Sequence, residues 1–177
     1  DHNFYPSLMG DGRILYTRWE YTDIAHAFTG RLMSMNPDGT QQRAHYASSS
    51  FWPNRIFYGR PIPGSSTKFV GIVSGHHGTA RAGELVVFDV AKGRRLAEGA
   101  VQRLPGRGKT VEAIMVDNLV DGSWPKFLHP YPLSEKYFLV SCRPTPQSHW
   151  GIYLVDVFDN FVLLKETPDY AMLEPIP

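Results

Sequence analysis

Two stretches of the chain decide the fold: residues 60–74, RPIPGSSTKFVGIVS, and residues 129–141, HPYPLSEKYFLVS. Both place prolines at alternate positions, follow them with a serine-containing turn, and continue into a run rich in apolar residues. The two stretches align in order, first at an offset of 69 and then with one short gap: Pro61 with Pro130, Pro63 with Pro132, Ser65 with Ser134, Lys68 with Lys136, Phe69 with Tyr137, and Ser74 with Ser141. Such ordered agreement indicates an internal repeat.

The repeat extends beyond these stretches. ELVVFD after Gly83 matches IYLVD after Gly151, and a Trp-Pro pair precedes each copy, at residues 52–53 and 124–125. A third, divergent copy opens the chain with YPSLMGDGRILYTRW (residues 5–19) and continues with GRLMSMNPDGTQQRAHY (residues 30–46). Its NPDGT segment predicts a hairpin turn, because Asp and Gly accept the positive φ values that such turns need.

Each copy predicts four short strands, from the alternation of apolar residues and the enrichment in β-branched residues. Four-stranded repeats of this length are typical of β-propeller blades. We therefore predict an all-β, single-domain propeller segment of three blades, at roughly residues 4–47, 53–99 and 124–166. The fourth strand of the middle blade is expected near RRLAEG (residues 94–99). Three blades make an open arc. Either the remainder of its own propeller or another copy of the arc completes it, or its edge strands stay exposed.

A long insertion, residues 100–123, separates the second and third blades. Its apolar residues Val111, Ile114, Met115 and Leu119 have helical spacing, which predicts a short helix packed beside the sheets. The segment PGRGKT (residues 105–110) imitates a phosphate loop, but Arg103 stands where the first glycine is required, so the pattern fails.

Composition supports this class and excludes others. With 16 Gly and 14 Pro among 177 residues, turns must be frequent and long helices few. The net charge of +1 provides no basic field for nucleic acid, and no apolar run approaches the roughly 18 residues of a membrane span. The single cysteine, Cys142, excludes both an internal disulfide and the cysteine pair that attaches a c-type haem.

Histidines are the candidate functional residues. In a propeller, the loops between second and third strands share a face with the loops between blades. The first set comprises residues 20–30, 75–83 and 144–150, and it carries His26, His76, His77 and His149. His2 and His129 lie near the inter-blade set, so six of the seven histidines are expected near one face. That face is either a ligand-binding face or a set of polar loops that happen to contain histidine.

The adjacent pair His76 and His77 is the candidate metal site. Neighbouring side chains of a strand point to opposite faces, so both rings reach one ion only in a bent loop. Gly75 and Gly78 favour such a bend, because glycine accepts positive φ. One ion held by all three loops is not expected, because zinc–nitrogen bonds are only about 2.0–2.1 Å long and equivalent loops of adjacent blades lie much farther apart than that. The alternative is an exposed polar turn without a metal.

Trp19 and Glu20, at the end of a second strand, and Arg143, at the equivalent end in the third blade, are further binding-face candidates. They suit a sugar or a carboxylate by stacking and bidentate hydrogen bonding. The alternative is an ion pair with a packed aromatic ring at a strand end. No nucleophile elbow of the form Gly-x-Ser-x-Gly is present, and no triad is specified.

The motifs YTRWEY, MNPDGT, RPIPGS, SGHHG, GELVVFD, WPKFLHPYPLSEKYFLVS and GIYLVDVFDN together resemble those of propeller proteins related to the alpha subunit of hydrazine synthase. The order of YPSLMGDGRILYT and MNPDGT also resembles the TolB-type propeller repeat. The resemblance implies a segment of a longer bacterial protein that is periplasmic or secreted.

Two functions are expected, the first from the repeat-built fold without a complete catalytic constellation and the second from the resemblance. The first is a non-catalytic module that binds or scaffolds a protein or small-molecule ligand. The second is the propeller part of a haem- or metal-dependent oxidoreductase whose histidine face lies near a cofactor. Hydrazine synthase uses c-type haems attached through Cys-x-x-Cys-His, which this sequence lacks, so covalent haem attachment is not expected here.

Overall fold

The computed structural model describes residues 2–20, 28, 30–79 and 81–177, which form twelve β-strands. The first blade contains β1 (His2–Leu8), β2 (Ile14–Trp19), β3 (Gly30–Met35) and β4 (Arg43–Tyr46). The second contains β5 (Arg55–Pro61), β6 (Lys68–Ser74), β7 (Glu84–Asp89) and β8 (Ala100–Leu104). The third contains β9 (Lys126–Pro132), β10 (Tyr137–Arg143), β11 (Gly151–Asp156) and β12 (Phe161–Lys165).

Each blade is an antiparallel meander in which consecutive strands pair. A parallel bridge between Gly30 and Arg55 joins the first two blades into one sheet, and the third blade is a separate four-stranded sheet. Gly83 and Phe127 form a bridge between the second and third blades. The sheets stay open, so the predicted all-β open arc of propeller-like blades is confirmed.

The first strands of neighbouring blades contact each other along the inside of the arc, β1 with β5 and β5 with β9. Each of them carries the same irregularity: the pairing register shifts, and one non-glycine residue takes a left-handed conformation. These residues are Tyr5 (φ 52°), Tyr58 (φ 53°) and His129 (φ 47°). The shared bulge shows that the three blades are structural repeats at the level of single residues.

The hydrophobic core lies between the blades. One buried cluster joins Leu15, Leu32 and Tyr46 of the first blade to Phe69 and Phe88 of the second. The other joins second-blade residues such as Ile72 and Leu85 to Phe127, Phe138, Val140 and Val155 of the third. Alternate residues of a second-blade strand therefore pack against the first blade and against the third blade, which explains why these strands are apolar on both faces.

The repeat alignment of the first strands was wrong by two residues. Pro61 pairs with Phe69, and Pro132 pairs with Phe138, so Pro61 is equivalent to Pro132 rather than to Pro130. The turn after β5 is two residues longer than the turn after β9, which is why proline spacing alone misled the alignment.

The fourth strand of the middle blade is Ala100–Leu104, not residues 94–99. The earlier segment forms a compact turn in which Asp89 N donates to Gly99 O and Ala100 N donates to Ala97 O. The insertion between blades is correspondingly shorter than predicted.

The predicted helix in the insertion is wrong, and no α-helix is present among the described residues. Its backbone is engaged by other loops instead: Asn54 Nδ2 donates to Val116 O (2.6 Å), and His76 N donates to Asp117 O (3.0 Å). Val111 is buried while Ile114 and Met115 are about half exposed, so the apolar spacing serves no helical face. Within the described ranges, no helix long and apolar enough to cross a membrane occurs.

Replacing Tyr46 by Phe is expected to destabilise the fold by about 1–3 kcal/mol. Tyr46 is fully buried, and its hydroxyl links the first blade to the second by donating to Leu96 O (2.7 Å) and accepting from Gly99 N (3.1 Å). Urea denaturation measures the change. Tyr170→Phe, at a residue that is 75% exposed, is the matched control and should be neutral. Equal stability of both variants would contradict the anchoring role of Tyr46.

Candidate binding site

The loop that follows β6 is shaped by the insertion that lies over it. His76 N donates to Asp117 O, and Thr79 N donates to the Asp121 carboxylate (2.8 Å). A Cβ on Gly75 would lie 2.9 Å from Asp117 O. Gly78 has a φ of +80°, and a Cβ there would overlap the Asp121 carboxylate. Both glycines are therefore required by the bend and by the close approach of the insertion.

The two histidines of this loop point to different partners, although their rings contact each other at 4.2 Å between centroids. His76 Nδ1 contacts the Arg55 guanidinium, and because a guanidinium only donates, Nδ1 is the acceptor. His77 Nδ1 pairs with Asp117 Oδ2 at 2.5 Å. The hydrogen bond from His77 holds the pKa of the Asp117 carboxyl below its usual range.

Arg55 is the buried charge of the site. It is only 6% exposed, and burial lowers the pKa of its guanidinium while the charge of Asp117 opposes that shift. The guanidinium lies 4.9 Å from the centroid of the Trp19 ring, a cation–π arrangement. Its aliphatic stem crosses Gly30, where a Cβ would come within 2.5 Å of Arg55 Cγ. Gly30 thus makes room for Arg55 at the junction of the first two blades.

A cavity of about 250 Å³ opens in front of this arginine. Its lining comprises Phe4, Trp19, Arg55, Phe57, Gly75, His76 and Arg81. Arg81 is exposed, lies 5.8 Å from the centroid of the Phe4 ring, and donates to the Tyr5 hydroxyl (2.7 Å). The cavity therefore combines two guanidinium groups with aromatic walls. We call it the arginine pocket.

The other predicted site residues have different surroundings. Glu20 pairs with Arg31 (2.9 Å) and more distantly with Arg18 (3.8 Å) at the strand ends. Arg143 donates to the carbonyls of Ser148 and Pro146 in its own loop. His149 is exposed and lines a separate depression with Trp150 and Tyr170. The prediction for His26 lies outside the described residues.

The sequence predicted that His129 lies near the loops between blades, but the residue lies within β9. It occupies the bulge of β9 on the inside of the arc, where its ring contacts Tyr58 (4.4 Å between centroids) and its Nε2 lies 3.8 Å from Glu174. A second cavity of about 180 Å³ lies there, and Tyr5, Tyr58 and His129 contribute to its wall. Burial lowers the pKa of His129.

Metal ligation by His76 and His77 stays a prediction. In the part of the chain that the structure describes, no group of three or more His, Cys, Asp or Glu side chains is placed to hold a metal ion. The Nδ1 atoms of both rings are engaged, one of them by a cationic guanidinium that would repel a metal ion.

A covalently attached c-type haem does not fit this chain. Attachment needs two cysteines, and Cys142 is the single one. That residue is fully buried between the second and third blades, and burial raises the pKa of its thiol to about 12. Cys142 therefore acts as a small apolar core residue.

Sequence reasoning identified Trp19 and His76 but missed Phe4, Arg55, Phe57 and Arg81. The missed residues come from the innermost strands and from a loop end of the neighbouring blade, and no local motif marks them. Their assembly depends on the contact between β1 and β5, which a single sequence does not reveal.

No protein-family profile matches the chain, and no curated protein matches it. Among solved structures, Kuenenia stuttgartiensis hydrazine synthase superposes with a TM-score of 0.65 at 20% sequence identity. The match covers 95% of this chain and 20% of that chain, so the protein spans about a fifth of the length of its structural neighbour. At this identity the likeness shows a shared fold alone.

Replacing His77 by Ala is expected to raise the pKa of Asp117 toward its ordinary value, because the His77 hydrogen bond stabilises the carboxylate. Carboxyl-detected NMR titration measures it. The pKa of Asp38, which is lowered by the hydrogen bond from Thr40 N in the turn between β3 and β4, is the internal control and should not move. By linkage, the lowered pKa of Asp117 stabilises the wild-type fold above pH 4, and this contribution is lost as pH falls through the folded-state value. An unchanged Asp117 titration in the variant would contradict the pairing.

Proposed function

We propose that this chain is a non-catalytic propeller module that binds a small-molecule or protein ligand on the face carrying the loop of His76 and His77. The observation that supports this is the arginine pocket, in which a buried guanidinium and an exposed one meet three aromatic rings. Pockets that combine apolar walls with a few convergent polar groups are typical of small-ligand sites. Among the described residues, the lining of this pocket contains no Ser, Thr, Cys, Lys, Asp or Glu side chain.

The likeness to hydrazine synthase bears on where the protein is located and says nothing about which ligand the pocket binds. By that resemblance, we propose that the module belongs to a protein exported to the periplasm or beyond the cell.

The arc also presents a face for another blade. In the first two blades, Leu15, Val70 and Leu85 are fully buried against the next blade. Their equivalents in the third blade, Leu139 and Ile152, are only half-buried, and the adjoining strand β12 is more exposed still. We propose that this apolar face packs against a further blade, either of a longer chain or of a second copy.

For the chain of residues 1–177 alone, a second copy is the occupant expected on that face. Light scattering should then give twice the monomer mass of 20.0 kDa. Leu154→Asp, which places a charge on this face, should restore the monomer mass. Ile114→Asp, at a residue of the insertion that is 49% exposed, is the matched control and should leave the dimer intact. A monomeric wild-type chain would exclude the second copy as the occupant.

The binding proposal predicts that small molecules raise the melting temperature of the protein through the His76 loop. A mixed library of acids, amines and neutral compounds, screened by thermal shift, should contain ligands that stabilise the wild type. Replacing both His76 and His77 by Ala should weaken their binding at least tenfold, because His76 lines the pocket and orients Arg55. Arg95→Ala, on an exposed turn, is the control. Ligands that bind the double variant as well as the wild type would remove this face as the site.

A further inference from the structure

The arginine pocket holds two guanidinium groups that have no carboxylate partner among the described residues. No described Asp or Glu lies within 4.0 Å of a charged nitrogen of Arg55 or Arg81. The nearby carboxylates are engaged elsewhere: Asp117 by His77, Glu84 by Arg103 (2.8 Å) and Glu20 by Arg31. Asp117 acts on Arg55 only at longer range, so among the described residues the two guanidinium groups carry more positive charge than the nearby carboxylates offset.

Because Arg55 is buried, its charge favours the binding of an anion. Desolvating a charged group is costly unless a partner of opposite charge or a full set of hydrogen bonds replaces water. Arg55 is more than nine-tenths buried, and among the described residues its guanidinium contacts His76 Nδ1 and the face of Trp19, neither of which supplies a negative charge. An anion entering the pocket would find a guanidinium that is already desolvated and already oriented. Pre-organisation of this kind lowers the entropic cost of binding.

The shapes of the groups define the anion. A guanidinium presents a planar fork that matches a carboxylate with two parallel hydrogen bonds. Phe4, Trp19 and Phe57 supply flat apolar walls beside the fork. The volume of about 250 Å³ equals the space of on the order of eight liquid waters at about 30 Å³ each. One ring bearing a carboxylate fits that volume, and a long peptide or a nucleotide does not.

We propose that the arginine pocket binds a small planar carboxylate of the aryl carboxylate class. Arg55 and Arg81 hold the carboxylate, while Trp19, Phe4 and Phe57 enclose the ring. This inference rests on the proposed binding function and names the ligand class of the same site.

Isothermal titration calorimetry with benzoate tests the class. The matched probes are benzamide, which keeps the ring without the charge, acetate, which keeps the charge without the ring, and inorganic phosphate. Benzoate should bind at least about tenfold more tightly than each of the three, because benzamide lacks the charge that the guanidinium groups recognise, whereas acetate and phosphate lack the ring that the aromatic walls enclose. Binding of benzamide or phosphate as tight as that of benzoate would overturn the inference.

Variants then locate the bound carboxylate. Arg81→Met changes an exposed side chain, so the fold should be kept, and benzoate affinity should fall at least about tenfold. Arg55→Lys retains the charge but loses the fork, and it should weaken benzoate more than acetate. Arg95→Met, which removes the same charge from an exposed turn, is the control and should bind like the wild type. Unchanged benzoate affinity in Arg81→Met would also overturn the inference.

The two proposals fail in different ways. If amines or neutral compounds of the mixed library bind through the His76 loop while benzoate does not, the carboxylate inference is wrong and the binding module survives. If no compound of any class binds, or if none of the binding depends on the loop, the binding function itself is wrong.

Discussion

The burial of Arg55 at the junction of two blades is the constraint on which the site depends. Its stem fits only because Gly30 lacks a side chain, and its guanidinium is fixed by Trp19 from one blade and His76 from its own. The same residue forms the backbone bridge that joins the first and second blades. Fold and site thus share one position, so the pocket exists only when the blades are correctly packed.

Packing between blades gives this arrangement its rigidity. The first and second blades each bury one apolar face against the next blade, and Tyr46 adds two hydrogen bonds across the first junction. Because the cores lie between blades rather than within them, the third blade leaves an apolar face half-covered. The insertion contributes by holding the loop of His76 in its bend through Asp117 and Asp121, which aims the ring at Arg55.

Sequence periodicity predicted the fold class well, because strand alternation and the repeated turns are local features. It failed where tertiary contacts decide, as in the insertion, whose carbonyls bind Asn54 and His76 instead of forming a helix. The candidate site, likewise, could be predicted only where local sequence features mark it. The glycine-flanked histidine loop could be recognised from the sequence, whereas Arg55 and Phe57 could not, since the innermost strands meet only in the folded arc. The sequence also suggested a metal for two histidines whose Nδ1 atoms are engaged by Arg55 and Asp117.

The proposed site depends most on an anion that contacts the Arg55 guanidinium inside the aromatic pocket. A crystal structure of the protein soaked with 4-bromobenzoate tests it directly, because the anomalous signal of bromine marks the ring. We expect bromine density between Phe4 and Trp19, with a carboxylate oxygen about 2.7–2.9 Å from an Arg55 nitrogen. Bromine located elsewhere, or an Arg55 guanidinium already paired with a carboxylate of the protein itself, would contradict the account.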